Sequence, residues 1–471
     1  MLNLLIILNA FFVTFTDKPL SAEPALSPRA VEQRAKWDIP IDELDYPVHS
    51  TYIDSLRHMG VTVFHSSRWF NGVTCEMEDE LLRQVEQLDF VASVEKTRDN
   101  CDPDYVSPHR NKQLVQTTNS DGISFLQTTA QLNLYNLTPL HNAGFKGQGI
   151  LMTVCDGGFK NANTLSCFRQ DELELGHFDF TDDTDPFYGR TGTHGTMCLS
   201  AISGLKTGFV GAATQAQYYL MRSEENLTES PKEMDNLVAA IEKSDSLGVN
   251  IFSVSLGYAI FDNDAWTLPK SALDGQTTRA SRAALIAARK GMLLCVAAGN
   301  EGSSAWRTIS APADADSILS VGAVDIDREI GIFSSYGPSA DGRVKPEVCA
   351  VGVGTTLIDP AGNITTSNGT SFATPLLAGM AACLWSALPD ENAQQIRERI
   401  IRSADRFSDP DDHYGYGIPD AWAAYNMRTE QGCEATLTNY PAPGAVKFLR
   451  GAQLLIQRHG HTYTPTGQRI E

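Results

Sequence analysis

One stretch near the C-terminal end constrains the fold more than any other. It reads Gly-Thr-Ser-Phe-Ala-Thr-Pro at residues 369–375 and continues without a break into an apolar run at 376–388. A run of that length, rich in Ala, Leu and Met, predicts a buried helix that begins at or near Ser371. Unpaired N–H groups and the positive end of the helix dipole would then face an oxyanion on any carbonyl that the Ser371 hydroxyl attacks. The alternative is that Ser371 only caps an ordinary core helix.

Three further polar residues stand at comparable places. Asp156 follows one predicted strand, Asn300 follows another, and His194 opens a predicted helix. The carboxyl ends of strands in an open parallel sheet converge on one crevice, so we expect these side chains to meet there. The chain order Asp, His, Ser is that of subtilisin, and it differs from the orders in chymotrypsin and the α/β-hydrolases. Taken singly, each residue also has a structural explanation, as a strand-end carboxylate, a helix-start polar residue or a turn former.

Four motifs in the same order resemble those of the subtilisin-like serine peptidases, the subtilase family. They read Val-Cys-Asp-Gly-Gly at 154–158, His-Gly-Thr-Met at 194–197, Ala-Ala-Gly-Asn at 297–300 and the serine motif at 369–375. Gly157 stands where many relatives have Thr, and Met197 stands where the commonest pattern repeats His. Neither departure removes a reacting group. The resemblance extends from about residue 147 to about residue 425.

The resemblance implies a role for each of these residues. His194 would take the proton of the Ser371 hydroxyl and return it to the leaving amine, and Asp156 would orient the imidazole. Asn300 would share the oxyanion with the backbone N–H of Ser371. A fifth stretch resembles the segment that borders the substrate cleft in such enzymes, and it consists of Val254, Ser255, Leu256 and Gly257. Two alternatives are an inactive subtilase that serves as a binding or surface module and an esterase with the same triad.

The region that carries these motifs alternates between predicted strands and helices. Strands are expected at 150–155, 218–221, 250–255, 292–298, 318–324 and 348–353, and helices at 194–203, 232–247, 277–290, 371–388 and 391–403. This alternation, with near-continuous apolar strands, predicts an α/β fold with a mainly parallel sheet covered by helices on both faces. Helices at 52–59 and 78–88 and strands at 61–64, 69–76 and 91–95 predict a small α+β unit before it.

Changes in pattern along the chain predict five segments. A short apolar run at 2–15 indicates a signal peptide that is cut after Ala22, and the alternative is a buried or disordered N-terminal strand. In a subtilase the α+β unit would be a propeptide, which assists folding and inhibits the enzyme; the alternative is a permanent accessory domain. The expected segments are a signal peptide at 1–22, a propeptide at 23–98, a cleavable linker at 99–125, a catalytic domain at 126–432 and a β-rich tail at 433–471.

Charge and ligand patterns limit the partners. The formal net charge of -20 and the pI near 4.9 argue against nucleic acid, because phosphate binding needs clustered Lys and Arg. The resemblance to the subtilases implies polypeptide substrates and the propeptide as partners, with no cofactor required for the chemistry. Two acidic segments are interpreted as solvated turns, and a structural calcium ion is the alternative. They are residues 405–412 and the cluster Asp179, Asp182, Asp183 and Asp185.

The cysteines and the C-terminal end bear on where the protein works. Five of the nine cysteines fall in apolar patterns, namely Cys155, Cys198, Cys295, Cys349 and Cys383, whereas Cys75, Cys101, Cys167 and Cys433 could form disulfides. The ending Tyr-Thr-Pro-Thr-Gly-Gln-Arg-Ile at 463–470 resembles the sorting tails of bacterial type IX secretion substrates. It implies the type IX machinery as a further partner. The signal peptide and this tail together predict a secreted or cell-surface protein.

Overall fold

Short apolar segments pair into one large sheet at the centre of the molecule. The structure is a computed structural model that describes residues 9–99, 107, 125–182, 184–225, 228–427, 445–450, 453–458 and 461–463. The N-terminal region, residues 9–99, contains β1 (Ala10–Phe15), α1 (Pro28–Lys36), α2 (Ser50–His58), β2 (Thr62–Ser67), β3 (Gly72–Glu76), α3 (Asp79–Val85) and β4 (Val91–Arg98).

The larger region that follows holds most of the regular structure. Its first half contains α4 (Phe125–Asn133), α5 (Thr138–Asn142), β5 (Leu151–Asp156), α6 (Gln170–Leu173), β6 (Glu174–Asp179), α7 (Thr193–Ser203), β7 (Leu205–Lys206), β8 (Phe209–Val210), β9 (Gln217–Arg222) and α8 (Pro231–Leu247). Its second half contains β10 (Ile251–Val254), α9 (Arg279–Arg289), β11 (Leu293–Ala297), β12 (Leu319–Val324), β13 (Val348–Val351), β14 (Thr355–Ile358), β15 (Ile364–Ser367), α10 (Thr370–Ala387), α11 (Ala393–Arg402) and α12 (Ala421–Asn426).

The central sheet has seven strands in the order β13-β12-β11-β10-β5-β9-β6, and every neighbouring pair is parallel. Strand order changes direction at β5, because β6 and β9 lie on one side of it and β10 to β13 on the other. This is the position where open α/β sheets leave a crevice at the carboxyl ends of their strands. The predicted α/β fold is confirmed, and each predicted strand and helix of this region is present with ends within two residues of expectation.

Helices cover both faces of the sheet, and alternate residues of each strand face different cores. Met152 and Val154 of β5 pack in a core with α7 and α10, whereas Leu151 and Cys155 pack in a second core with α8 and α9. Fully buried parallel strands therefore carry apolar side chains at almost every position, as the sequence shows. Helix α10 is long and apolar enough to cross a membrane, but 89% of it is buried inside the protein, as in the core helix of a soluble protein.

The N-terminal region is a four-stranded antiparallel sheet in the order β2-β3-β1-β4, with helices on one face. Phe11 and Val13 of β1 point into its own core with α2 and α3. Phe12, which lies between them, packs instead against α8 and α9 of the larger region, together with Trp69 and Phe70. The predicted α+β unit is present, with element ends within three residues of those expected.

The predicted boundary at residue 22 differs from the structure. Residues 10–15, which fall in the expected signal-peptide core, form β1, an inner strand that pairs with both β3 and β4. Five of its six residues are buried. A short apolar run suits a signal-peptide core and an inner strand equally well, so its length does not distinguish them. The structure agrees with the alternative of a buried N-terminal strand, and these residues belong with the N-terminal region.

Buried ion pairs join the N-terminal region to the larger one. Arg34 Nη2 lies 2.8 Å from Asp245 Oδ2, and Arg98 Nη1 lies 2.8 Å from Glu225 Oε2. Arg68 donates its backbone N–H to Glu242 at 2.9 Å and also pairs with Asp245. All three arginines are buried. Breaking a buried ion pair by removing one partner typically costs about 3–5 kcal/mol, so these contacts hold the two regions in one arrangement.

A histidine lies in the same interface. His65 of β2 packs edge-on against Phe180, with ring centroids 6.3 Å apart, and Lys232 and Asp182 are the charged groups near it. Its Nε2 atom is shut off from solvent and makes no hydrogen bond within the described part of the chain. Burial, with a smaller contribution from the Lys232 cation, lowers the pKa of His65 to about 3. The folded protein therefore favours the neutral imidazole.

We predict that the folded protein loses stability as the pH falls from about 6.5 toward 3. The unfolded chain binds a proton at His65 near pH 6.5, whereas the folded chain does not. The contribution of His65 to the free energy of unfolding therefore falls by about 1.4 kcal/mol for each pH unit below 6.5 in this window. Urea unfolding at several pH values should show a shallower pH dependence in His65→Gln than in the wild type. The exposed His58 gives a matched control, and an equal slope in His65→Gln and His58→Gln would contradict the prediction.

The C-terminal residues form a separate unit. Strands β16 (Ala445–Arg450), β17 (Gln453–Arg458) and β18 (His461–Tyr463) pair antiparallel in that order. The expected β-rich tail is therefore present. The residues after Tyr463 that carry most of the resemblance to a sorting tail lie outside the described residues.

Candidate active site

Asp156 and His194 are in direct contact at the crevice beside β5. Asp156 is the last residue of β5, and His194 is the second residue of α7. The His194 Nδ1 atom lies 2.9 Å from both carboxylate oxygens of Asp156, which is fully buried. Gly157 donates its backbone N–H to Asp156 Oδ1 at 2.8 Å. Residue 157 thus supports the carboxylate through its main chain, which explains how Gly can stand at this position.

The electrostatics favour a charged His194. Burial alone would lower the pKa of the imidazole, because a buried cation loses its hydration. The Asp156 carboxylate outweighs this effect and holds the pKa of His194 well above 6.5. The pair is therefore suited to accept a proton at Nε2 while Nδ1–H stays bonded to the carboxylate.

Ser371 is the second residue of α10, so its backbone N–H lies in the first turn, where no earlier carbonyl of the helix can accept it. Its hydroxyl donates to the backbone oxygen of Ser255 at 3.2 Å, and the Ser255 hydroxyl donates to the backbone oxygen of Ser371 at 2.8 Å. The rings of Phe372 and His194 are 5.3 Å apart, which places the imidazole beside the same turn. The Ser371 hydroxyl, the His194 imidazole and the Asp156 carboxylate thus share one crevice.

Cys198 connects α7 with α10 behind the imidazole. Its Sγ lies 3.8 Å from His194 Nδ1 and donates to the backbone oxygen of Ser371 at 3.3 Å. Burial raises the pKa of the Cys198 thiol, so it acts as a neutral donor. Sequence reasoning gave Cys198 only a packing role. Cys198 follows His194 by one helical turn, and this spacing could have predicted that its side chain lies beside the imidazole.

The structure places Asn300 across the crevice, held by Thr370. Asn300 Oδ1 accepts the backbone N–H of Thr370 at 2.9 Å and its hydroxyl at 3.0 Å. The Thr370 hydroxyl in turn accepts the backbone N–H of Gly299 at 3.2 Å. Because its oxygen accepts both hydrogen bonds from Thr370, the Asn300 side chain directs its NH₂ group away from Thr370. Thr370 lies within the predicted motif, but sequence reasoning did not assign it this orienting role.

A small cavity of about 70 Å³ opens beside these groups. Ser371 and Asn300 line it, as do the predicted substrate-binding residues Ser255, Leu256 and Gly257. Two glutamates that sequence reasoning did not single out also line it, and they are Glu224 and Glu229. They come shortly after β9 ends, so the strand-end argument that identified Asp156 could have found them. His194 is not among the described residues that line the cavity.

The described carboxylates of the predicted acidic cluster have partners within the protein. Asp179 pairs with Arg222, and Asp182 pairs with Arg98 at 3.1 Å. Asp185 accepts the backbone N–H of Thr191 at 2.8 Å. Asp183 lies outside the described residues. In segment 405–412, Asp405 pairs with Arg328 and Asp411 with Arg406, so these carboxylates also have protein partners. Within the described chain, donor groups converge instead at Asp156, His194 and Cys198 and at Glu224, Glu229 and Glu233.

The described cysteines are free thiols. Cys155, Cys198, Cys295, Cys349 and Cys383 are buried, in agreement with the apolar patterns around them. Cys75 and Cys167, for which pairing was an open alternative, are also free and buried. Cys101 and Cys433 lie outside the described residues.

Comparison with known families gives two matches to this chain. A family model described as the subtilase family, Peptidase S8, matches residues 147–417, which is more than half of the chain. A second model, described as the Peptidase S8 propeptide domain of Bacteroidota, matches residues 10–117 and thus includes β1.

Individual relatives agree with the family matches. Subtilisin DY from Bacillus licheniformis is 31% identical over 288 residues, covering 60% of this chain and 92% of that protein. Subtilisin NAT from Bacillus subtilis subsp. natto is 26% identical over 375 residues, covering 79% of this chain and 85% of that protein. The crystal structure of MycP1 with the N-terminal propeptide removed covers 64% of this chain and 98% of its own, with a TM-score of 0.51 and 22% identity, and shows the shared fold.

The approach of α7 to β5 generates a prediction about Gly195. A Cβ at this position would lie 2.2 Å from the backbone oxygen of Gly158 and 2.9 Å from Asp156 Cβ, so only glycine allows helix and turn to come this close. Gly195→Ala should lower the free energy of unfolding by about 1–3 kcal/mol through overpacking. It should also shift the NMR signal of the His194 Nδ1 proton. Urea unfolding and proton NMR measure the two effects.

Gly342→Ala is the matched control for this prediction. The added methyl group at Gly342 would meet open space, but φ is +84°, so the substitution should cost about 1–2 kcal/mol through backbone strain alone. Gly342→Ala should leave the NMR signal of the His194 Nδ1 proton unchanged. An unshifted signal in Gly195→Ala would show that α7 keeps its place without the glycine and would contradict the argument.

Proposed function

The chain belongs to the subtilase family of serine peptidases, and from this premise we propose that it is an endopeptidase that acts through Asp156, His194 and Ser371. The observation that carries the proposal is the bonded pair of Asp156 and His194 beside Ser371, at the sheet's switch point. A carboxylate, an imidazole and a hydroxyl in this arrangement are the components of nucleophilic acyl transfer.

The reaction proceeds in two steps through an acyl-enzyme. The Ser371 hydroxyl turns from Ser255 toward His194, gives its proton to Nε2 and attacks the carbonyl carbon of a peptide bond. His194 then passes that proton to the leaving amine, and the ester on Ser371 remains. A water molecule then gives a proton to His194 and attacks the ester carbon, the bond to the Ser371 oxygen breaks, and His194 returns the proton to that oxygen as the acid product leaves. Asp156 stabilises the charged imidazole in both steps.

Two donors face the oxygen that becomes negative in each step. One is the backbone N–H of Ser371 at the start of α10, and the other is the Asn300 NH₂ group that Thr370 orients. Such donors stabilise the charge that develops in the transition state, and losing one typically costs about a hundredfold to a thousandfold in rate. The cavity lined by Ser255, Leu256 and Gly257 receives the substrate beside them.

The N-terminal region serves as an inhibitory propeptide of a zymogen. The Peptidase S8 propeptide match to residues 10–117 supports this role, as do the buried ion pairs that fix the region on α8. Its last described residues reach the loop beside the cavity, because Asp99 accepts from Asn263 at 2.8 Å and Ser107 donates to Asp262. Ala259 and Ile260 of that loop line the cavity. Cleavage in the linker at 99–125 then frees the active site.

Export of the protein is part of the same proposal. A zymogen restrains a peptidase until it reaches its place of action, which suits an enzyme that works outside the cell. The resemblance of residues 463–470 to a sorting tail supports the type IX machinery as the route. We propose no catalytic cofactor, because the Asp156, His194 and Ser371 chemistry is complete in the protein's own side chains.

We predict that a fluorophosphonate probe labels the purified protein at Ser371 once the N-terminal region has been removed by limited proteolysis. Such probes react only with activated serines, so Ser371→Ala should remain unlabelled. Hydrolysis of a casein substrate should follow the labelled fraction. Absence of labelling after confirmed removal of residues 9–99 would favour an inactive binding module. Turnover of esters without turnover of peptides would favour the esterase.

A second prediction concerns the pH dependence of catalysis. Because Asp156 holds the pKa of His194 above 6.5, the neutral base should be lost as the pH falls through that raised value, and kcat/KM of the wild type should fall with it. Asp156→Asn should lower kcat about ten-thousandfold and move the inflection to lower pH, since the largest influence that opposes the effect of burial is then lost. The exposed Asp171 supplies the control variant Asp171→Asn. An unmoved inflection in Asp156→Asn would contradict the assignment.

A further inference from the structure

Asn300 is held by its side chain and by its backbone, and two different residues make these contacts. Thr370 binds the side-chain oxygen. The backbone contacts come from Ser335, which lies after β12 in the chain. Ser335 is fully buried, and it is not among the described residues that line the cavity. Any effect of Ser335 on the reaction must therefore pass through another residue.

Ser335 binds the chain on both sides of Asn300. Its backbone N–H donates to the oxygen of Gly299 at 3.0 Å, and its hydroxyl oxygen accepts the backbone N–H of Glu301 at 3.0 Å. Because each peptide unit is rigid, the first contact fixes the peptide plane before Asn300 and the second fixes the plane after it. These two planes determine φ and ψ of Asn300. One residue thus sets the direction in which the Asn300 side chain leaves the backbone.

The segment that contains Ser335 lies very close to the loop of Asn300. A Cβ added at Gly299 would lie 2.8 Å from the Ser335 hydroxyl oxygen, so glycine at this position allows the two segments to meet. The contact continues along the chain, because Gly302 donates its backbone N–H to the oxygen of Phe333 at 2.7 Å. Hydrogen bonds therefore join the two segments at each end of the loop as well as beside Asn300.

The segment that contains Ser335 is itself fixed to the central sheet. The hydroxyl oxygen of Ser334 accepts the backbone N–H of Ala323 at 3.0 Å. Ala323 belongs to β12, and β12 is the neighbour of β11, after which the loop of Asn300 begins. Two adjacent strands of the sheet therefore determine where Asn300 lies, one through the chain that leads to it and the other through Ser335.

We propose that Ser335 is a positioning residue that holds the Asn300 amide where the oxyanion forms. The inference deepens the proposed function and depends on it, because it assumes that the Asn300 NH₂ group stabilises that oxygen. Such a donor acts through its placement before the reaction, and a displacement of about 1 Å can cost up to about a hundredfold in rate. Without the Ser335 hydroxyl, the peptide plane after Asn300 loses its donor–acceptor contact, and the amide is aimed less accurately.

The experiment measures kcat and KM for one fluorogenic peptide after the N-terminal region has been removed by limited proteolysis. Ser335→Ala deletes the hydroxyl and keeps the backbone contact with Gly299. It should lower kcat about tenfold and change KM by less than about twofold, because the oxyanion exists only after the substrate has bound. Ser335→Cys should give an intermediate kcat, since sulfur is a weaker acceptor than oxygen.

A double-mutant cycle with Asn300→Ala separates positioning from a general structural effect. Asn300→Ala alone should lower kcat about a hundredfold to a thousandfold. In that background Ser335→Ala should cause no further loss, since no amide remains to be positioned. A loss by the same factor in both backgrounds would show a structural effect and would overturn the inference. Wild-type kcat in both Ser335→Ala and Ser335→Cys would also overturn it.

Ser339→Ala is the matched control. Ser339 is buried, and its hydroxyl oxygen accepts the backbone N–H of Arg343 at 3.0 Å, the same distance as that between Ser335 and Glu301. Within the described part of the chain, Ser339 makes no hydrogen bond to residues 299–302, so kcat and KM should keep their wild-type values. An equal fall of kcat in Ser339→Ala would show that any lost serine hydroxyl has this effect, and would overturn the inference.

The same measurements distinguish this inference from the proposed function. Near-UV circular dichroism verifies that each variant is folded, and Ser335→Cys supplies the comparison if Ser335→Ala does not fold. Wild-type kcat in Asn300→Ala would overturn the oxyanion role of Asn300 and this inference with it. Wild-type protein that neither cleaves peptides nor reacts with a fluorophosphonate would overturn the proposed function.

Discussion

The contact between Asp156 and His194 is the constraint on which the rest of the site depends. It exists because the all-parallel sheet changes direction at β5, which leaves a crevice where that strand ends. Helices α7 and α10 both begin at this crevice, so the His194 imidazole, which is bonded to Asp156, and the Ser371 hydroxyl both lie there. The approach is close enough that α7 needs glycine at position 195. The chemistry is therefore a consequence of strand order and helix packing together.

The N-terminal region is joined to the enzyme by two kinds of contact that act together. Apolar side chains of β1 alternate between its own core and the core beneath α8 and α9. Around them, Arg34, Arg68 and Arg98 neutralise carboxylates of the larger region. Apolar burial supplies the driving force, and buried charges penalise any other alignment. These contacts fix the N-terminal region on α8 and α9.

Sequence patterns predicted the fold and the placement of Asp156, His194 and Ser371 at one crevice because both follow from local rules. Buried parallel strands are continuously apolar, and the apolar run that follows Ser371 is longer than a surface segment would carry. The strand β6 was missed because it lies at the sheet edge with alternating exposure, and β1 resembled a signal-peptide core. Glu224 and Glu229 were missed because a charged loop usually faces water. Only the folded chain shows that the loop with Glu224 and Glu229 turns inward beside Ser371.

The shared strand β1 has a consequence for the mature enzyme. Under the proposed maturation, loss of the N-terminal region would expose the face of α8 and α9 that Phe12, Trp69 and Phe70 cover, and Glu242 and Asp245 would lose their arginine partners. An apolar patch rimmed by acidic groups has the composition of a protein-binding surface. The proposed activation would therefore uncover this protein-binding face as well as the cavity beside Ser371.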